Sequence, residues 1–263
     1  MASWEQFEID CTNFLNNNFG QYARFIHEGG SDSTVPDILV QADNGARFYI
    51  EAKHSPAQCG QFVLLPNIKS MEFEYSAQNA NRINHYAKLI MQYMNSDFDA
   101  FREAGTSGRQ INMTNSTTVF PGWIKEAYRD KGVKFFISND YQIVPLDEIE
   151  DFFDFSATYR IKRSGSSAVG KPRISSVKEY LQNVDFVIDD IKSDGQKLYV
   201  FSSESLHNRR FILEGYEYML SQRGNAYEIR KLSNTYNANV IFSIFLKSNP
   251  IQNRADSLIA ALT

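Results

Sequence analysis

Cysteine and histidine are scarce in this chain of 263 residues, which has two cysteines and four histidines. Cys11 and Cys59 are far apart and neither belongs to a Cys-x-x-Cys pair, which excludes a disulfide framework and a zinc site of ordinary spacing. The scattered histidines form no metal-binding pattern either. We therefore expect two reduced, buried cysteines in a cytosolic protein that lacks zinc.

Long apolar runs are also absent, because no stretch reaches the roughly 18 residues of a membrane-spanning helix. The N-terminus is polar and acidic, unlike that of an ordinary signal peptide. With 43% hydrophobic and 14% aromatic residues, the chain can still build a substantial core. Its length suits one large domain or two small ones. These properties predict a globular protein without a membrane span.

An excess of positive charge is missing too, since the net charge is −4. A nucleic-acid footprint is, however, a local patch, and net charge is the weaker test. No acid interrupts a basic run between Asp154 and Glu179, and the segment Ser164-Gly165-Ser166-Ser167 lies within it. The run consists of Arg160, Lys162, Arg163, Lys171, Arg173 and Lys178. Two interpretations stay open: a segment that contacts phosphates, and a solvated loop that joins two domains.

A second basic cluster follows further along the chain. It comprises Arg209, Arg210, Arg223, Arg230 and Lys231. Arginine suits bidentate contact with guanine edges or with phosphates, and the sequence does not decide between these two contacts.

The most informative residues are Asp37, Glu51 and Lys53. The apolar segment Ile38–Val40 predicts a buried strand that begins at the first acid. The second strand alternates in polarity, so that Glu51 and Lys53 share one face while apolar residues share the other. Asn44-Gly45 between the strands predicts a hairpin. We therefore expect three ionisable groups to converge at one end of a sheet.

These residue types suit metal-dependent cleavage of a phosphodiester. Mg²⁺ prefers hard oxygen ligands from one or two carboxylates, with water and substrate phosphate, and Asp37 and Glu51 fit that role. The ammonium of Lys53 could orient or deprotonate a water, or stabilise developing negative charge. The alternative is a solvated strand face with an acid at the start of a turn, because a bare Asp-x(n)-Glu-x-Lys match is short and permissive.

The neighbouring residues favour the first interpretation. Pro36-Asp37, followed after thirteen residues by Glu51-Ala52-Lys53, resembles the core of the PD-(D/E)XK nuclease superfamily. The segment Gly29–Val35 is similar to the glycine-serine lead-in of some relatives. The resemblance covers residues 3–65. It implies a restriction-endonuclease-like fold, Mg²⁺-dependent cleavage of DNA, and catalytic roles for the two acids and the lysine.

The resemblance also implies supporting residues. A helix predicted over residues 3–18 carries Glu8, which matches the upstream glutamate of the family and would join Asp37 and Glu51 as a metal ligand. The alternative for Glu8 is a solvated position near the positive end of the helix. Gln61, or else Gln58, matches a glutamine that follows the lysine in some relatives and would support the active site.

The order of apolar segments predicts an α/β fold, with a mixed central sheet flanked by helices and a C-terminal antiparallel β-rich region. We expect a helix entering behind the site over residues 57–64 and a long helix over residues 79–101. The composition shifts near Val177, and about five strand-like runs follow. We therefore predict a nuclease domain over residues 1–180. The β-rich region over residues 181–263 would recognise DNA or, alternatively, mediate dimerisation.

The predicted function is that of a type II restriction endonuclease. Such an enzyme cuts double-stranded DNA to 5′-phosphate and 3′-hydroxyl ends with one or two Mg²⁺ ions. The alternatives are a structure-specific or repair nuclease such as a junction resolvase, and a non-catalytic DNA-binding protein on the same fold. Cleavage of a symmetric site suggests a homodimer, although a monomer could nick twice. The implied setting is the cytoplasm of a bacterial or archaeal cell, with a methyltransferase acting on the same sequence but not bound stably.

Overall fold

A computed structural model describes residues 3–29, 35–163, 165–234, 236–248 and 252–263. The predicted lead-in residues Gly30–Thr34, and Ser164 of the basic run, lie outside these ranges. The α-helices are α1 (Ser3–Phe19), α2 (His85–Asn95), α3 (Phe98–Arg102), α4 (Ser116–Arg129), α5 (Ile149–Phe152), α6 (Ile174–Leu181) and α7 (Ala255–Leu262). Among the described residues, no helix is long and apolar enough to cross a membrane.

Within the described ranges, the strands form three sheets. They are β1 (Ala23–His27), β2 (Ile38–Ala42), β3 (Arg47–Ala52), β4 (Ala57–Asn67), β5 (Glu72–Tyr75), β6 (Arg109–Gln110), β7 (Val133–Ile137), β8 (Ile143–Pro145), β9 (Phe153–Arg163), β10 (Ser166–Ala168), β11 (Asp190–Asp194), β12 (Lys197–Phe201), β13 (Arg210–Leu213), β14 (Tyr216–Arg223), β15 (Ala226–Leu232) and β16 (Tyr236–Leu246). Short 3₁₀ turns occupy Asn139–Tyr141, Leu146–Glu148 and Lys171–Arg173.

The chain divides into two compact units, and the division differs from the predicted boundary at residue 180. Unit 1 consists of residues 1–160 and 238–263, and unit 2 of residues 161–237. The observed boundaries differ from the predicted one for two reasons. Strand β10 pairs with β15 of unit 2, and β16, which the sequence places last in the β-rich region, pairs with β4 of unit 1.

The first sheet of unit 1 has the strand order β1-β2-β3-β7-β8. All its pairs are antiparallel except β3 with β7, so the sheet is mixed. One face packs against α1 and α7 through apolar side chains such as Leu15, Ile50 and Leu258. The other face packs against α4, where Tyr128 contacts Phe136. Helices therefore cover both faces of this sheet.

The second sheet of unit 1 has the order β5-β4-β16-β9-β6 and packs against α2, α3 and α4. The helix predicted over residues 57–64 is wrong, because these residues begin strand β4. Gly60 interrupts the alternation there with φ +87° and shifts the register against β16. A side chain at Gly60 would lie 2.8 Å from Trp123 of α4, so the bulge also brings backbone against helix.

The helix predicted over residues 79–101 is in fact two helices, α2 and α3. Asn84 caps α2 by accepting a hydrogen bond from the Ala87 N–H at 2.8 Å, which explains why the helix begins so late. The buried residues Ala87, Ile90 and Met94 recur at helical spacing and face the core.

Unit 2 is built on an antiparallel sheet with the order β11-β12-β15-β14-β13, and β10 pairs with β15. Its own apolar core includes Val177 and Leu181 of α6, packed with Leu198, Tyr218 and Ile229 of the sheet. Helix α6 therefore belongs to this unit, and the predicted antiparallel β-rich region is confirmed.

Candidate active site

The hairpin of β2 and β3 forms as predicted and positions the site. Asn44 stabilises the turn by accepting the N–H of Ala46 at 2.8 Å, and Gly45 adopts φ +86°, which favours glycine. Ile38 lies opposite Ile50 in the antiparallel register. Asp37, directly before Ile38, is therefore brought to the end of β3.

Asp37 is held by three hydrogen bonds and is 8% exposed. Its Oδ2 accepts the N–H of Ala52 at 2.9 Å. Ala52 lies between Glu51 and Lys53 in the sequence, so this bond ties the first acid to the segment that carries the other two site residues. The backbone carbonyl of Asp37 accepts the N–H groups of Glu28 at 2.8 Å and Gly29 at 2.9 Å. These bonds fix both the backbone and the carboxylate of the first acid.

Glu51 and Lys53 form a short ion pair beside Asp37. The Nζ of Lys53 lies 2.6 Å from Oε1 of Glu51, which is 7% exposed. The same Nζ lies 5.9 Å from the centre of the Tyr128 ring, within the range of a cation–π contact. The structure thus brings all three predicted catalytic side chains together.

The charges of this cluster are unbalanced. Burial raises the pKa of Asp37 to about 7, and the nearby Glu51 adds to this effect, while Lys53 and the Ala52 N–H oppose it. Burial disfavours the charge on Lys53, but Glu51 and Asp37 outweigh burial and hold the lysine pKa above its ordinary value. Two buried acids therefore share one firmly protonated lysine, and a bound cation would offset the excess negative charge.

Glu8 of α1 lies close enough to Asp37 for its charge to raise the pKa of Asp37. Its Oε2 contacts Nε2 of His27 at 3.1 Å. A Cβ placed on Gly29 would come within 2.4 Å of the same oxygen, so a larger residue there would require the Glu8 side chain to shift. His27 is a residue that sequence reasoning missed, because nothing in the motif pointed to it.

A three-carboxylate metal set is not assembled in this arrangement. Among the residues that the structure describes, no group of three or more His, Cys, Asp and Glu side chains could hold a metal ion. Two carboxylates with water and a substrate phosphate still satisfy Mg²⁺. Asp37 and Glu51 therefore fit the donor set, and the role of Glu8 as a further ligand stays a prediction.

The predicted supporting glutamines both lie on β4, and their supporting role stays a prediction. Gln58 and Gln61 are exposed and form a hydrogen bond with each other at 3.3 Å. Cys59 of β4 lies next to the charged cluster, and its thiol is hydrogen-bonded to the hydroxyl of Tyr128. Burial raises the pKa of Cys59 to about 12, so the thiol stays neutral.

The predicted DNA-contacting residues divide between the two units, with Arg160 in unit 1 and the others in unit 2. Lys162 and Lys171 are exposed. Several of the arginines are paired with acids or aromatic rings. Arg163 and Arg210 contact Glu217, Arg223 contacts Glu228, Arg173 lies over the ring of Tyr216, and Arg209 lies over the ring of Phe186.

A mixed central sheet flanked by helices, a β-rich region and an acidic hairpin with a lysine define a restriction-endonuclease-like α/β protein, which confirms the predicted fold class. The chain is similar to a solved structure described as HhaI endonuclease in complex with DNA. The two are 38% identical over 99% of each chain, with a TM-score of 0.86. The chain therefore belongs to the family of HhaI endonuclease. No protein-family model and no curated protein matches it.

Proposed function

We propose that this protein is a type II restriction endonuclease of the PD-(D/E)XK superfamily that cleaves double-stranded DNA at a short specific sequence. The observation that carries the proposal is the convergence of Asp37, Glu51 and Lys53 at the end of one hairpin. Membership in the family of an endonuclease whose structure was solved with DNA supports the same substrate.

Asp37 and Glu51 would hold one or two Mg²⁺ ions. Glu8, which contacts His27 in this arrangement, stays a predicted further ligand. When bound, Mg²⁺ would favour deprotonation of the attacking water and offset charge on the scissile phosphate. The excess of acid over base in the buried cluster fits a divalent cation. The hydrogen bond from Ala52 keeps the Asp37 carboxylate in one orientation, so that little reorganisation is needed when substrate arrives.

Lys53 acts as a cation in this proposal. The two acids keep its pKa above the ordinary value, so it is a poor proton acceptor near neutral pH. Its ammonium instead orients the water and stabilises the negative charge that develops on the phosphate. The attacking water gives up a proton to bulk solvent, its oxygen bonds to phosphorus, and the bond from phosphorus to O3′ breaks. The products are a 5′-phosphate and, after protonation, a 3′-hydroxyl.

DNA binding would involve exposed basic residues of unit 2, such as Lys162 and Lys171. The arginines paired with Glu217 and Glu228 are partly neutralised, but those acids also hold the guanidinium groups in place. The polar segment after Gly105 is a further candidate for reading the sequence, since long loops are often functional.

The proposal is tested by digesting a plasmid of known sequence with the purified protein and Mg²⁺, then sequencing the fragment ends. Discrete ends at one short sequence would support a restriction enzyme, and EDTA should abolish cutting. A smear of ends, or cutting only at branched DNA, would instead favour a structure-specific or repair nuclease. Tight duplex binding without cutting would favour a non-catalytic DNA-binding protein.

The predicted homodimer and the cytoplasmic setting with a methyltransferase acting on the same sequence remain parts of the proposal. Sedimentation of the protein on a duplex that carries one recognition site separates the dimer from a monomer. A monomer would also accumulate nicked circles before linear plasmid, because it cuts the two strands in separate events.

A further inference from the structure

The turn after β7 lies beside the segment that leaves β3. These strands are parallel, with Ala52 opposite Ile137, and the N–H of Lys53 donates to the carbonyl of Ile137 at 2.8 Å. Both strands end there. The sheet ladder therefore stops at Lys53, and other contacts must determine the backbone position beyond it.

Two side chains of this turn supply such contacts. The hydroxyl of Ser138, which is 0% exposed, donates to the carbonyl of Lys53 at 2.7 Å. Asn139 binds both backbone groups of Ser55: its Oδ1 accepts the N–H at 2.7 Å and its Nδ2 donates to the carbonyl at 2.9 Å. Three hydrogen bonds thus hold the backbone from the lysine to two residues beyond it.

The turn itself has an unusual backbone. Asp140 and Tyr141 are consecutive non-glycine residues with φ +54° and +55°. Such left-handed conformations are costly away from glycine and persist where surrounding contacts enforce them, often at functional sites. The Tyr141 ring stacks on Phe14 at 4.3 Å, and its carbonyl accepts a hydrogen bond from Asn253 at 3.2 Å. The strained turn is therefore supported from two sides.

We propose that Ser138 and Asn139 are positioning residues that fix the backbone of Lys53, so that its ammonium is aligned with Glu51 and the scissile phosphate. This inference rests on the proposed function. Misplacement of a catalytic group by about 1 Å can cost on the order of 100-fold in rate. Both residues act through Lys53 without touching the substrate.

The test measures single-turnover cleavage, DNA affinity and melting temperature for Ser138→Ala and Asn139→Ala. We expect cleavage to slow about 10- to 100-fold while the Kd for duplex DNA stays within about twofold. Ser96→Ala is the matched control, because it also removes a serine hydroxyl that donates to a backbone carbonyl at 2.7 Å, on the exposed end of α2. This control should cleave at the wild-type rate.

A second measurement separates positioning from general support of the fold. If Ser138 acts through Lys53, adding Ser138→Ala to Lys53→Ala should not slow the residual cleavage further. Additive slowing, or slowing that parallels a loss of DNA affinity, would overturn the inference. Should Ser138→Ala fail to fold, Asn139→Asp, which keeps the oxygen that accepts the Ser55 N–H, provides the same comparison.

The inference and the proposed function can fail separately. Wild-type cleavage by Ser138→Ala and Asn139→Ala, alongside an inactive Lys53→Ala, would overturn only the positioning role. Wild-type cleavage by Lys53→Ala would overturn both.

Discussion

In unit 1, Asp37 and Glu51 share a single lysine, whereas in unit 2 Glu217 and Glu228 each lie between two arginines. The pKa values respond in opposite directions. Burial and Glu51 raise the pKa of Asp37, while hydrogen bonds from Arg163 and Arg210 lower that of Glu217. Burial opposes the charge on Glu228, but Arg230 and Arg223 outweigh it and lower its pKa.

The difference separates the cluster that we propose as the active site from clusters that stabilise the fold. Acids between two arginines are satisfied by the protein itself, and they stabilise the fold in their charged form. The acids of the hairpin are not satisfied in this way, and a buried group with a raised pKa beside a second acid is typical of a catalytic or metal site. Negative charge is thus in excess only at the hairpin in this comparison.

The comparison also bears on DNA binding. The sequence alone shows a run of basic residues without intervening acids, yet Arg163 of that run pairs with Glu217 from a distant strand. In the second basic cluster, Arg210 and Arg223 also pair with acids. The positive charge that unit 2 can offer to phosphates is therefore smaller than the count of arginines suggests. Exposed lysines such as Lys171 gain importance as a result.

The largest expected effect follows from removing the single cation of the hairpin cluster. Lys53→Ala should slow cleavage by about 10²- to 10⁴-fold, because charge on the phosphate is no longer stabilised. Specific DNA binding should persist, as measured by gel shift with the metal omitted. Lys88→Ala, at an exposed position of α2, is the control and should cleave normally. Normal cleavage by Lys53→Ala would show that the lysine has no catalytic role.

Replacing a buried acid by its amide should stabilise the protein at the hairpin of unit 1 and destabilise it in unit 2. Asp37→Asn should stabilise the fold by on the order of 2–4 kcal/mol at pH 8 without divalent cations, because burial of the charged acid is then avoided. The raised pKa of about 7 means that the folded state holds a proton which the unfolded state releases near pH 4.

The added stability of Asp37→Asn over the wild type should therefore be absent below about pH 4, grow as the pH rises, and be complete above about pH 7. Urea unfolding at several pH values measures it. Asp43→Asn, in the exposed turn of the same hairpin, should change little. If Asp37→Asn is less stable than the wild type at pH 8, burial of the charged Asp37 carboxylate does not destabilise the fold, and the prediction is wrong.

Glu228→Gln should have the contrary effect and destabilise the protein by about 1–3 kcal/mol at pH 7, since two arginines lose their charged partner. Because the pKa of Glu228 is lowered by folding, its contribution is present above the ordinary pKa and lost as the pH falls through the folded value. Glu179→Gln, on the exposed side of α6, serves as the control in the same urea experiment.

The smallest effect concerns a single exposed lysine of unit 2. Lys171→Ala should weaken duplex binding about threefold to tenfold. It should also lower the slope of log affinity against log salt concentration by about one, as expected for the loss of one phosphate contact. Lys192→Ala, whose ammonium pairs with Asp190 at 3.2 Å, is the control. An equal loss of affinity in both variants would indicate a general effect of charge, without a specific contact.

The hairpin and its three ionisable groups were predictable because local signals specify them. Strand alternation, the Asn44-Gly45 turn and the apolar residues after Asp37 all lie within a short stretch of sequence. Strand β4 was not predictable in the same way, because the bulge at Gly60 breaks its alternation. Alternation of apolar and polar residues thus identifies a strand only where no bulge interrupts it.

The features that could not be predicted depend on contacts between residues that are far apart in the sequence. His27 meets Glu8 across 19 residues, and Ser138 meets Lys53 across 85. Strand β16 pairs with β4, which precedes it by most of the chain, so its place in unit 1 could not be read from its own sequence. The acids that neutralise the arginines of unit 2 likewise depend on strand pairing, which a basic run does not reveal.

The most direct measurement compares plasmid cleavage by the wild type, Asp37→Asn and Asp43→Asn in Mg²⁺, at equal protein concentration and below the melting temperature of each. The Asp43→Asn variant should match the wild type. Asp37→Asn should bind DNA and remain folded, yet lose cleavage by about 10³-fold, as expected when a proposed metal ligand is removed. Full cleavage by Asp37→Asn would contradict the assignment of the hairpin cluster as the active site.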